Sequence, residues 1–458
     1  MDFHTAIIGS GSAGITVAIG LAGLGKKVAL IERAHVGGDC TNVGCVPSKT
    51  LIHLADHDKT LTPAEVLAKV REHRNHLRDE ETKWLSNTQN ISLKRATASF
   101  LDSHRLELIS DSHQEIISAE NIVIASGSKP KKLDISGLPE SLIVTNESLF
   151  DLEALPKHLV IVGAGIIGIE MAFAFCKLGA EVSLVGKNAR VLSASEPEAS
   201  ELIEKRLGEL GVSLHLNTQP ETFKDQVLHL QNGERLEHVD KVLIAVGREP
   251  NLNLGLENAG VSFSQNGIKT NAHGKTNVPN IYAIGDVNPN SAFTHSANAQ
   301  GRRLVQKIAF PFLPVGKEPI YPSAIFSAPE VAQVGPGLET LKQRYKSELI
   351  KSYRIDLKDT DRGYTSFLED GFVLIHAMAL TGRVLSATIV APSAGEMIPL
   401  LTNAVNGGSS MYKLANLVFP YPTLAEAIKK AASNYVFATL PNLLKDGRTY
   451  LFNRWQSP

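Results

Sequence analysis

Apolar and polar positions repeat one arrangement twice along the chain: an apolar strand, a glycine-rich turn, an apolar helix and another strand. The first copy has HTAII at residues 4–8, the turn GSGSAG, a helix through Leu24 and the strand KVALIE at residues 27–32. The second has LVIV at residues 159–162, the turn GAGIIG, a helix and a strand at residues 181–185. This order predicts two βαβ units in which a helix N-terminus faces a pyrophosphate. We therefore expect an α/β protein with two Rossmann-like dinucleotide-binding domains.

The two copies differ at the residue expected to contact a ribose. Glu32 closes the second strand of the first copy, where an acid can accept hydrogen bonds from the ribose hydroxyls. The corresponding position of the second copy is Gly186, followed by Lys187 and, three residues further, by Arg190. Loss of the carboxylate and gain of cations favour a 2′-phosphate, so we predict a preference for NADPH over NADH. The alternative is a solvated loop that is basic by chance.

Two of the three cysteines, Cys40 and Cys45, lie in the stretch GGDCTNVGCVPSK at residues 37–49. Five steps of a regular helix rise about 7.5 Å, which exceeds the roughly 6.8 Å that a disulfide spans between Cα atoms. A bridge therefore requires an irregular first turn, which Gly44 and Pro47 permit. Such a bridge would be reducible, and a nearby helix N-terminus would favour the thiolate. The alternative is a pair of reduced, buried cysteines.

This stretch resembles, nearly letter for letter, the redox-active motif of the class I pyridine nucleotide-disulfide oxidoreductases, which include dihydrolipoamide dehydrogenase, glutathione reductase and mercuric reductase. Asp39 departs from the usual threonine. The resemblance implies that the first unit binds FAD and the second a nicotinamide dinucleotide, for which the basic residues of the second unit predict NADPH, with NADH possible. It also implies that Cys45 faces the flavin and can form a charge-transfer complex as the thiolate, while Cys40 is the interchange thiol. Lys49 and Glu170 match the pair of charged residues beside the flavin.

Further matches complete the two expected cofactor sites. NIYAIGD at residues 280–286 resembles the second flavin motif, in which the aspartate binds the ribityl chain, and Thr294 matches another flavin contact. The residues expected to bind FAD are Gly9, Gly11, Ser12, Gly14, Glu32, Gly38, Lys49, Ala98, Gly127, Asp286 and Thr294. Those expected to bind NADPH are Gly163, Gly165, Ile167, Gly168, Glu170, Lys187, Arg190 and Gly247.

Flavin motifs on both sides of the second unit imply that the NAD(P)-binding domain is inserted into the FAD-binding domain. We expect the FAD-binding domain at residues 1–148 and 272–318, and the NAD(P)-binding domain at residues 149–271. In residues 319–458, short alternating strands and two helices form an α+β layout that resembles the family's dimerisation domain. A homodimer is therefore expected, because in this family that domain of one subunit completes the other subunit's site.

The expected active-site base departs from the related enzymes. Dihydrolipoamide dehydrogenases and glutathione reductases have a His-Pro-Thr segment near the C-terminus, followed shortly by a glutamate. Here FPYPTLAE places Tyr421 at the histidine and Glu426 at the acid. Tyrosine, with a reference pKa of about 10, is a poor base but can donate a hydrogen bond or help to hold a metal ion. This resembles mercuric reductase, although no cysteine follows Cys176 to form that enzyme's C-terminal pair.

The predicted function is therefore electron transfer from NADPH through a flavin and a dithiol to a metal ion, an oxidant or a small disulfide. A dihydrolipoamide dehydrogenase that tolerates tyrosine is one alternative. A flavoprotein redox sensor without fast turnover is another, from a different class. The identity of the acceptor stays open.

Composition narrows the possible partners and locations. The 458 residues include 46 Lys+Arg and 47 Asp+Glu, so the formal net charge of −1 gives no electrostatic reason to expect nucleic acid or anionic membranes as partners. No apolar run approaches the ~18 residues of a membrane-spanning helix. Three cysteines argue against a secreted disulfide framework, so a cytoplasmic location is expected. No metal site is expected, and Cys176 is expected in the core.

Overall fold

The computed structural model describes residues 1–111, 113–288 and 293–439. The chain divides into two compact units: Met1–Lys187 with Gly211–Glu318, and Asn188–Leu210 with the described part of Pro319–Pro458. The division into three domains, with the boundaries given above, remains a prediction. Phe452 and Trp455, to which the sequence assigns no role, lie outside the described residues.

Strands and helices follow one another through both units. The strands are β1 (Phe3–Ile8), β2 (Val28–Glu32), β3 (Ile91–Arg95), β4 (Thr97–Phe100), β5 (Arg105–Ile109), β6 (Gln114–Ile124), β7 (Ser128–Pro130), β8 (Ile143–Val144), β9 (His158–Val162), β10 (Glu181–Gly186), β11 (Ser213–Leu216), β12 (Pro220–Lys224), β13 (Val227–Leu230), β14 (Arg235–Leu236), β15 (Lys241–Ile244), β16 (Arg248–Pro250), β17 (Phe263–Ser264), β18 (Gly267–Ile268), β19 (Ile281–Ala283), β20 (Pro322–Ile325), β21 (Glu330–Val334), β22 (Ile350–Asp356), β23 (Phe372–Met378) and β24 (Val384–Ala391). The α-helices are α1 (Ser12–Gly23), α2 (Gly38–Asn42), α3 (Cys45–His57), α4 (Pro63–Asn87), α5 (Asn146–Leu149), α6 (Ile166–Lys177), α7 (Pro197–Leu210), α8 (Thr294–Ala309), α9 (Leu338–Arg344), α10 (Asp361–Thr365), α11 (Ala394–Asn406), α12 (Met411–Ala415) and α13 (residues 426–439). Among the described helices, none combines the length and the apolar character that crossing a bilayer requires.

The first unit contains a sheet with the order β3-β2-β1-β6-β5-β4, in which β19 also pairs with β6. β1 runs parallel to β2 and β6, and Ile8 aligns with Ile31 and Ile124. Alternate residues of β1 enter different apolar cores, since Ile8 belongs to one core cluster and Ile7 to another. Because parallel strands end at the same edge of a sheet, the segments that follow β1, β2, β6 and β19 converge there.

A second sheet of the same unit has the order β11-β10-β9-β15-β8, and each of its strand pairs is parallel. Val162 at the end of β9 aligns with Val185 of β10 and Ile244 of β15. α1 follows β1 after the GSGSAG turn, and α6 follows β9 after the GAGIIG turn. The predicted α/β fold with two Rossmann-like units is therefore confirmed.

A short ribbon joins the segments that follow the two sheets. β6 and β15 each end shortly before a turn that contains glycine. Gly127 and Gly247 turn the chain there, with positive φ angles of 66° and 117°. β7 and β16 follow these glycines and pair with each other in antiparallel orientation.

The second unit contains an antiparallel sheet with the order β20-β21-β24-β23-β22. Apolar residues of β21, β23 and β24 share one core with residues of α11, α12 and α13. Tyr435 is completely buried in this core, and its hydroxyl contacts the carbonyl oxygens of Ala379 and Leu380, each at 3.2 Å. The predicted α+β layout of the C-terminal region is confirmed.

Candidate redox active site

A cavity of about 580 Å³ borders the edge of the first sheet at which its parallel strands end. Cys40 contributes to its lining, together with most of the residues predicted to bind FAD. These residues are Gly9, Gly11, Ser12, Glu32, Gly38, Ala98, Gly127, Asp286 and Thr294. Of the other two predicted residues, Gly14 packs behind the turn and Lys49 belongs to an ion pair. The fold thus brings residues that are far apart in the sequence to one cavity.

Backbones approach each other closely at the wall of this cavity. A Cβ atom on Gly9, whose φ is 103°, would lie 2.3 Å from the carbonyl oxygen of Ala125. A Cβ on Gly38 would lie 2.7 Å from the Cα of Gly11, and one on Gly14 would lie 1.9 Å from the carbonyl oxygen of Gly9. Glycine is therefore required at these positions, and the backbone rather than side chains forms this part of the wall.

The same wall offers a place for an anion beside an acid. α1 begins at Ser12 with no side-chain cap and no acidic residue in its first turn, so its free N–H groups and its dipole favour a negative charge. The Glu32 carboxylate is fixed by hydrogen bonds from the backbone and hydroxyl of Ser10, at 2.9 and 2.8 Å, and from the Ala34 backbone at 2.9 Å. Phosphates and a ribose are the chemical groups that fit this arrangement.

The two cysteines lie on different helices, joined by an irregular turn. Cys40 is part of α2, and Cys45 is the first residue of α3. Gly44 lies between them with φ −129° and ψ −114°, and a Cβ there would be 2.8 Å from the carbonyl oxygen of Asp39. The irregular turn expected from the spacing is therefore present. Both cysteines are free thiols in this structure, and they share a hydrogen bond.

The surroundings divide the pair into one thiolate and one thiol. The hydrogen bond from Cys40 lowers the pKa of Cys45 to about 6, helped by Thr294 and by the charge of Lys49. The Thr294 hydroxyl lies 3.3 Å from the Cys45 sulfur. The same hydrogen bond and burial raise the pKa of Cys40. Cys45 is therefore the anionic member of the reduced pair at neutral pH.

Lys49 and Glu170 form an ion pair between α3 and α6. The Lys49 ammonium lies 2.7 and 3.0 Å from the two carboxylate oxygens of Glu170. Glu170 is buried, whereas a third of the Lys49 side chain is exposed. The predicted contact is present, and it links the helix that begins at Cys45 to the first helix of the second dinucleotide unit.

The second glycine turn repeats the geometry of the first. A Cβ on Gly163 would lie 2.3 Å from the carbonyl oxygen of Ala245, and one on Gly168 would lie 1.9 Å from that of Gly163. Ile167, predicted to contact NADPH, is half-buried. α6 begins after Gly165 with no side-chain cap and no acidic residue in its first turn. This N-terminus is thus also open to an anion.

Gly186 occupies the position at which the first unit has the acid Glu32, and its surroundings are crowded. A Cβ on Gly186 would lie 3.0 Å from both the Cβ of Ala164 and the Cδ2 of Leu216, so a larger side chain would displace these neighbours. Lys187 is exposed. Arg190 belongs to the second compact unit, and its Nη1 is buried without a hydrogen-bond partner among the described residues.

Tyr421 and Glu426 belong to the second compact unit, whereas the cysteines belong to the first. Tyr421 is 70% exposed, and its hydroxyl donates a hydrogen bond to Asp361 Oδ2 at 3.1 Å. This hydrogen bond and the charge of Asp361 raise the pKa of Tyr421, so the phenol stays protonated at neutral pH. Glu426 is half-buried at the start of α13. Asp361 was not among the predicted site residues.

Three residues of the hydrogen-bond network around Asp39 were missed by the sequence analysis, and one of them, Ser128, lines the cavity. Arg248, the first residue of β16, donates hydrogen bonds to Asp39 Oδ2 and, at 2.7 Å, to Ser128 Oγ. Ser128 in turn donates to Asp286 Oδ2 at 3.0 Å, while Asn146 accepts from Arg248 at 3.1 Å. A signal was available, because Asp39 is an unexpected acid and Arg248 is a cation directly after a predicted cofactor residue.

Family models match almost all of the described chain. The model of the pyridine nucleotide-disulphide oxidoreductases matches residues 3–301, and that of the family's dimerisation domain matches residues 321–432. The chain belongs to the pyridine nucleotide-disulphide oxidoreductases. A dihydrolipoyl dehydrogenase of Bacillus subtilis is 31% identical over 455 residues, which cover 94% of this chain and 96% of that protein. A mercuric reductase of Lysinibacillus sphaericus is 32% identical over 457 residues, with coverages of 95% and 83%.

Solved structures of the family share this fold. The Cu(II) complex of the HOCl-induced flavoprotein disulfide reductase RclA from Escherichia coli superposes with a TM-score of 0.87 and 26% identity, covering 94% of this oxidoreductase and 99% of that chain. Pyridine nucleotide-disulphide oxidoreductases use FAD and NAD(P)H, so this chain is an NAD(P)H-dependent flavin disulfide oxidoreductase. The open α1 N-terminus, the glycine wall and the Glu32 carboxylate fit FAD. The predictions of family, fold class and enzyme class are confirmed, as are FAD and NAD(P)H as the cofactors.

Proposed function

We propose that this oxidoreductase passes two electrons from NADPH through FAD and the Cys40–Cys45 pair to a metal ion, an oxidant or a small disulfide, in the manner of a mercuric reductase. The observation that carries the proposal is the cysteine pair. Cys45, with its pKa of about 6, shares a hydrogen bond with the Cys40 thiol at an irregular turn. A dithiol of this kind supplies two electrons when it closes to a disulfide.

FAD would be held by the glycine turn, the α1 N-terminus, Glu32, Gly38 and Asp286, and when bound it supplies the two-electron link between NADPH and the dithiol. Asp286 lines the cavity wall together with Thr294. Lys49 supplies a positive charge that its ion pair with Glu170 holds in place. A fixed cation favours a neighbouring group that gains negative charge, which gives this ion pair a role in the reaction.

The two thiols have different tasks when the acceptor is a small disulfide. Cys40, once deprotonated, attacks one acceptor sulfur and expels the first thiolate. The Cys45 thiolate then attacks the Cys40 sulfur, closes the bridge and expels the second thiolate. One expelled thiolate takes up the proton that Cys40 lost, and the other leaves as an anion or is protonated by solvent. Two electrons move from the dithiol to the acceptor.

The second unit supports a preference for NADPH. Crowding at Gly186 opposes a carboxylate there, and Lys187 is exposed on the following segment. Because a hydrogen bond to a charged group contributes about 1.5–3 kcal/mol, we expect Lys187→Ala to lower kcat/KM for NADPH about tenfold or more, and that for NADH by less than about twofold. Steady-state kinetics with both cosubstrates measures this. A wild-type enzyme that prefers NADH would rule the preference out.

The properties of Tyr421 help to decide which class of electron acceptor the enzyme reduces. Its raised pKa and its bond to Asp361 leave it a hydrogen-bond donor, not a base that removes protons from a dithiol substrate near neutral pH. This supports a metal ion or oxidant over a lipoyl substrate. Because the similar structure of RclA is a Cu(II) complex, Cu(II) is among the first acceptors to test.

The matched dimerisation domain supports a homodimer. In such a dimer, Tyr421 and Glu426 of each subunit would complete the redox site of the other. We expect the electron acceptor to be a small molecule or a metal ion, and we expect neither nucleic acid nor a membrane as a binding partner. A cytoplasmic location remains a prediction from the cysteine content.

Anaerobic titration of the purified protein with NADPH tests the electron path. Two equivalents of electrons should enter per flavin beyond those that the flavin alone accepts, and a long-wavelength thiolate–flavin absorbance should develop. A panel of Hg(II), Cu(II), quinone, glutathione disulfide and lipoamide then identifies the acceptor. Cys45→Ser is the matched variant, and acceptor reduction that survives this change would show that the dithiol takes no part. Rapid turnover of lipoamide would instead favour the dihydrolipoamide dehydrogenase alternative.

A further inference from the structure

Asp39 is the residue at which this chain departs from the related redox motif, and the proposed electron path does not use it. It follows Gly38 directly and precedes Cys40, within the five-residue helix α2. Its carboxylate oxygen Oδ2 accepts a hydrogen bond from Nη2 of Arg248. A threonine at this position is neutral and shorter, so it could not form the same ion pair.

Arg248 holds both ends of α2. At the start of the helix it binds Asp39 directly. At the end it donates to Asn146 Oδ1 at 3.1 Å, and the Asn146 side chain donates to the carbonyl oxygen of Val43 at 3.2 Å. Val43 is the C-cap residue, which directly follows the last residue of α2. The segment that carries Cys40 is therefore attached to one guanidinium directly at one end and through Asn146 at the other.

The guanidinium is itself fixed to the ribbon formed by β7 and β16. Its Nε donates to Ser128 Oγ at 2.7 Å, and its Nη2 also donates to the Ser128 carbonyl oxygen at 2.9 Å. About a quarter of the Arg248 side chain is exposed, compared with nearly half of the Asp39 side chain. Burial raises the pKa of Asp39, and the charge of Arg248 opposes that rise. The planar guanidinium fork suits such a set of carboxylate and carbonyl acceptors.

We propose that Asp39 is a positioning residue: through Arg248 it holds the α2 turn against the β7–β16 ribbon and so keeps Cys40 within reach of Cys45. This inference rests on the proposed dithiol function and extends it. Closure of a disulfide depends on the effective concentration of one thiol at the other. A turn that is held at both ends raises that concentration, whereas a released turn lowers it. Loss of Asp39 should therefore make the bridge easier to reduce.

The test is the equilibrium constant for bridge formation, measured on the FAD-loaded enzyme in anaerobic glutathione buffers. Alkylation traps the free thiols, and mass spectrometry of the peptide that contains Cys40 and Cys45 gives the oxidised fraction. We expect Asp39→Ala to lower this constant between about threefold and tenfold, and a tenfold change corresponds to about 30 mV for a two-electron couple. Asp39→Asn, which keeps the size and one acceptor oxygen, should give a smaller change, and it replaces Asp39→Ala if that variant does not retain FAD.

A matched control and a double variant separate positioning from general damage. Glu249→Ala removes the 3.2 Å ion pair with Lys129 on the same ribbon without touching α2, and it should leave the constant unchanged. If Asp39 acts through Arg248, the double variant Asp39→Ala/Arg248→Ala should differ by less than about twofold from Arg248→Ala alone, because coupled residues are not additive. If the double variant instead lowers the constant by the product of the two single-variant factors, Asp39 and Arg248 act separately.

The outcomes distinguish this inference from the proposed function. An Asp39→Ala enzyme with the wild-type constant overturns the positioning role, even if the enzyme reduces its acceptor normally. A wild-type enzyme that forms the bridge in glutathione buffers but accepts no electrons from NADPH overturns the electron path and leaves the role of Asp39 standing. A wild-type enzyme whose cysteines never form a bridge overturns both.

Discussion

At the scale of single residues, the reactivity of Cys45 results from several opposed influences on one sulfur atom. The hydrogen bond from Cys40, the Thr294 hydroxyl and the Lys49 charge favour the thiolate, while burial and the Glu170 charge oppose it. The favourable contributions dominate, since the pKa falls from 9.0 to about 6. The thiolate therefore predominates above pH 6 and is lost as the pH falls through that value.

The contribution of Thr294 to the lowered pKa of Cys45 can be measured separately by mutation. Thr294→Ala removes the hydroxyl 3.3 Å from the Cys45 sulfur, so we expect the pKa of Cys45 to rise by about one unit, equivalent to about 1.4 kcal/mol. The ultraviolet absorbance of the thiolate, followed against pH in the reduced enzyme, measures the shift. Thr294→Ser retains the hydroxyl and is the control. An unchanged titration in the alanine variant would contradict the assigned contact.

At the scale of elements, the two strand–turn–helix units show the same constraint. The helix packs against the turn so closely that a Cβ at Gly14 or at Gly168 would lie 1.9 Å from a carbonyl oxygen. Each helix can pack this closely against the preceding turn only if the residue at this position is glycine, because any side chain would collide with the backbone. The spacing of the glycines thus determines the path of the backbone as well as the space for a ligand.

This repeated geometry allows the two nucleotide sites to be disabled separately. Gly14→Ala should displace α1 and yield protein without FAD, whereas Gly168→Ala should yield FAD-containing protein that NADPH reduces at least about a hundredfold more slowly, as expected when a reactant is misplaced by about 1 Å. Flavin absorbance and anaerobic stopped-flow reduction measure the two effects.

Gly23→Ala is the control for these variants, because it lies in α1 and a Cβ there meets nothing within 4 Å. It should be neutral or stabilise the helix by about 0.5–1 kcal/mol. Retention of FAD by Gly14→Ala would show that the close packing of α1 is dispensable for cofactor binding.

At the scale of the whole molecule, the proposed completion of the redox site in trans would require two subunits. The cysteines belong to one compact unit, while Tyr421 and Glu426 belong to the other, which contains the matched dimerisation domain. If the site is completed in trans, each active site of a homodimer combines the cysteines of one subunit with Tyr421 of the partner subunit.

A heterodimer test follows from this arrangement. Cys45→Ser and Tyr421→Ala subunits, each of which we expect to be inactive as a homodimer, are co-expressed with different affinity tags so that the heterodimer can be isolated. One of its two sites then combines intact cysteines with an intact tyrosine, so about half of the wild-type activity per dimer is expected. Background activity in the heterodimer would place Tyr421 in the site of its own subunit. A fully active Tyr421→Ala homodimer would exclude Tyr421 from the reaction.

Local sequence was sufficient for much of this protein. The order of strand, GSGSAG or GAGIIG turn and helix predicted both Rossmann-like units, because close packing of helix on strand admits only glycine at particular spacings. The five-residue separation of Cys40 and Cys45 predicted the irregular turn for an equally local reason, the rise of a helix. The pairing of Lys49 with Glu170 followed from the resemblance to known enzymes.

Contacts between distant segments had to come from the tertiary structure. Asp39 and Arg248 are more than two hundred residues apart, and only the ribbon of β7 with β16 places that guanidinium beside α2. The bond from Tyr421 to Asp361 likewise joins segments that no local pattern connects. Backbone geometry is set by neighbouring residues and can be read along the chain, whereas the partner of a charged side chain depends on how the sheets and helices pack in space.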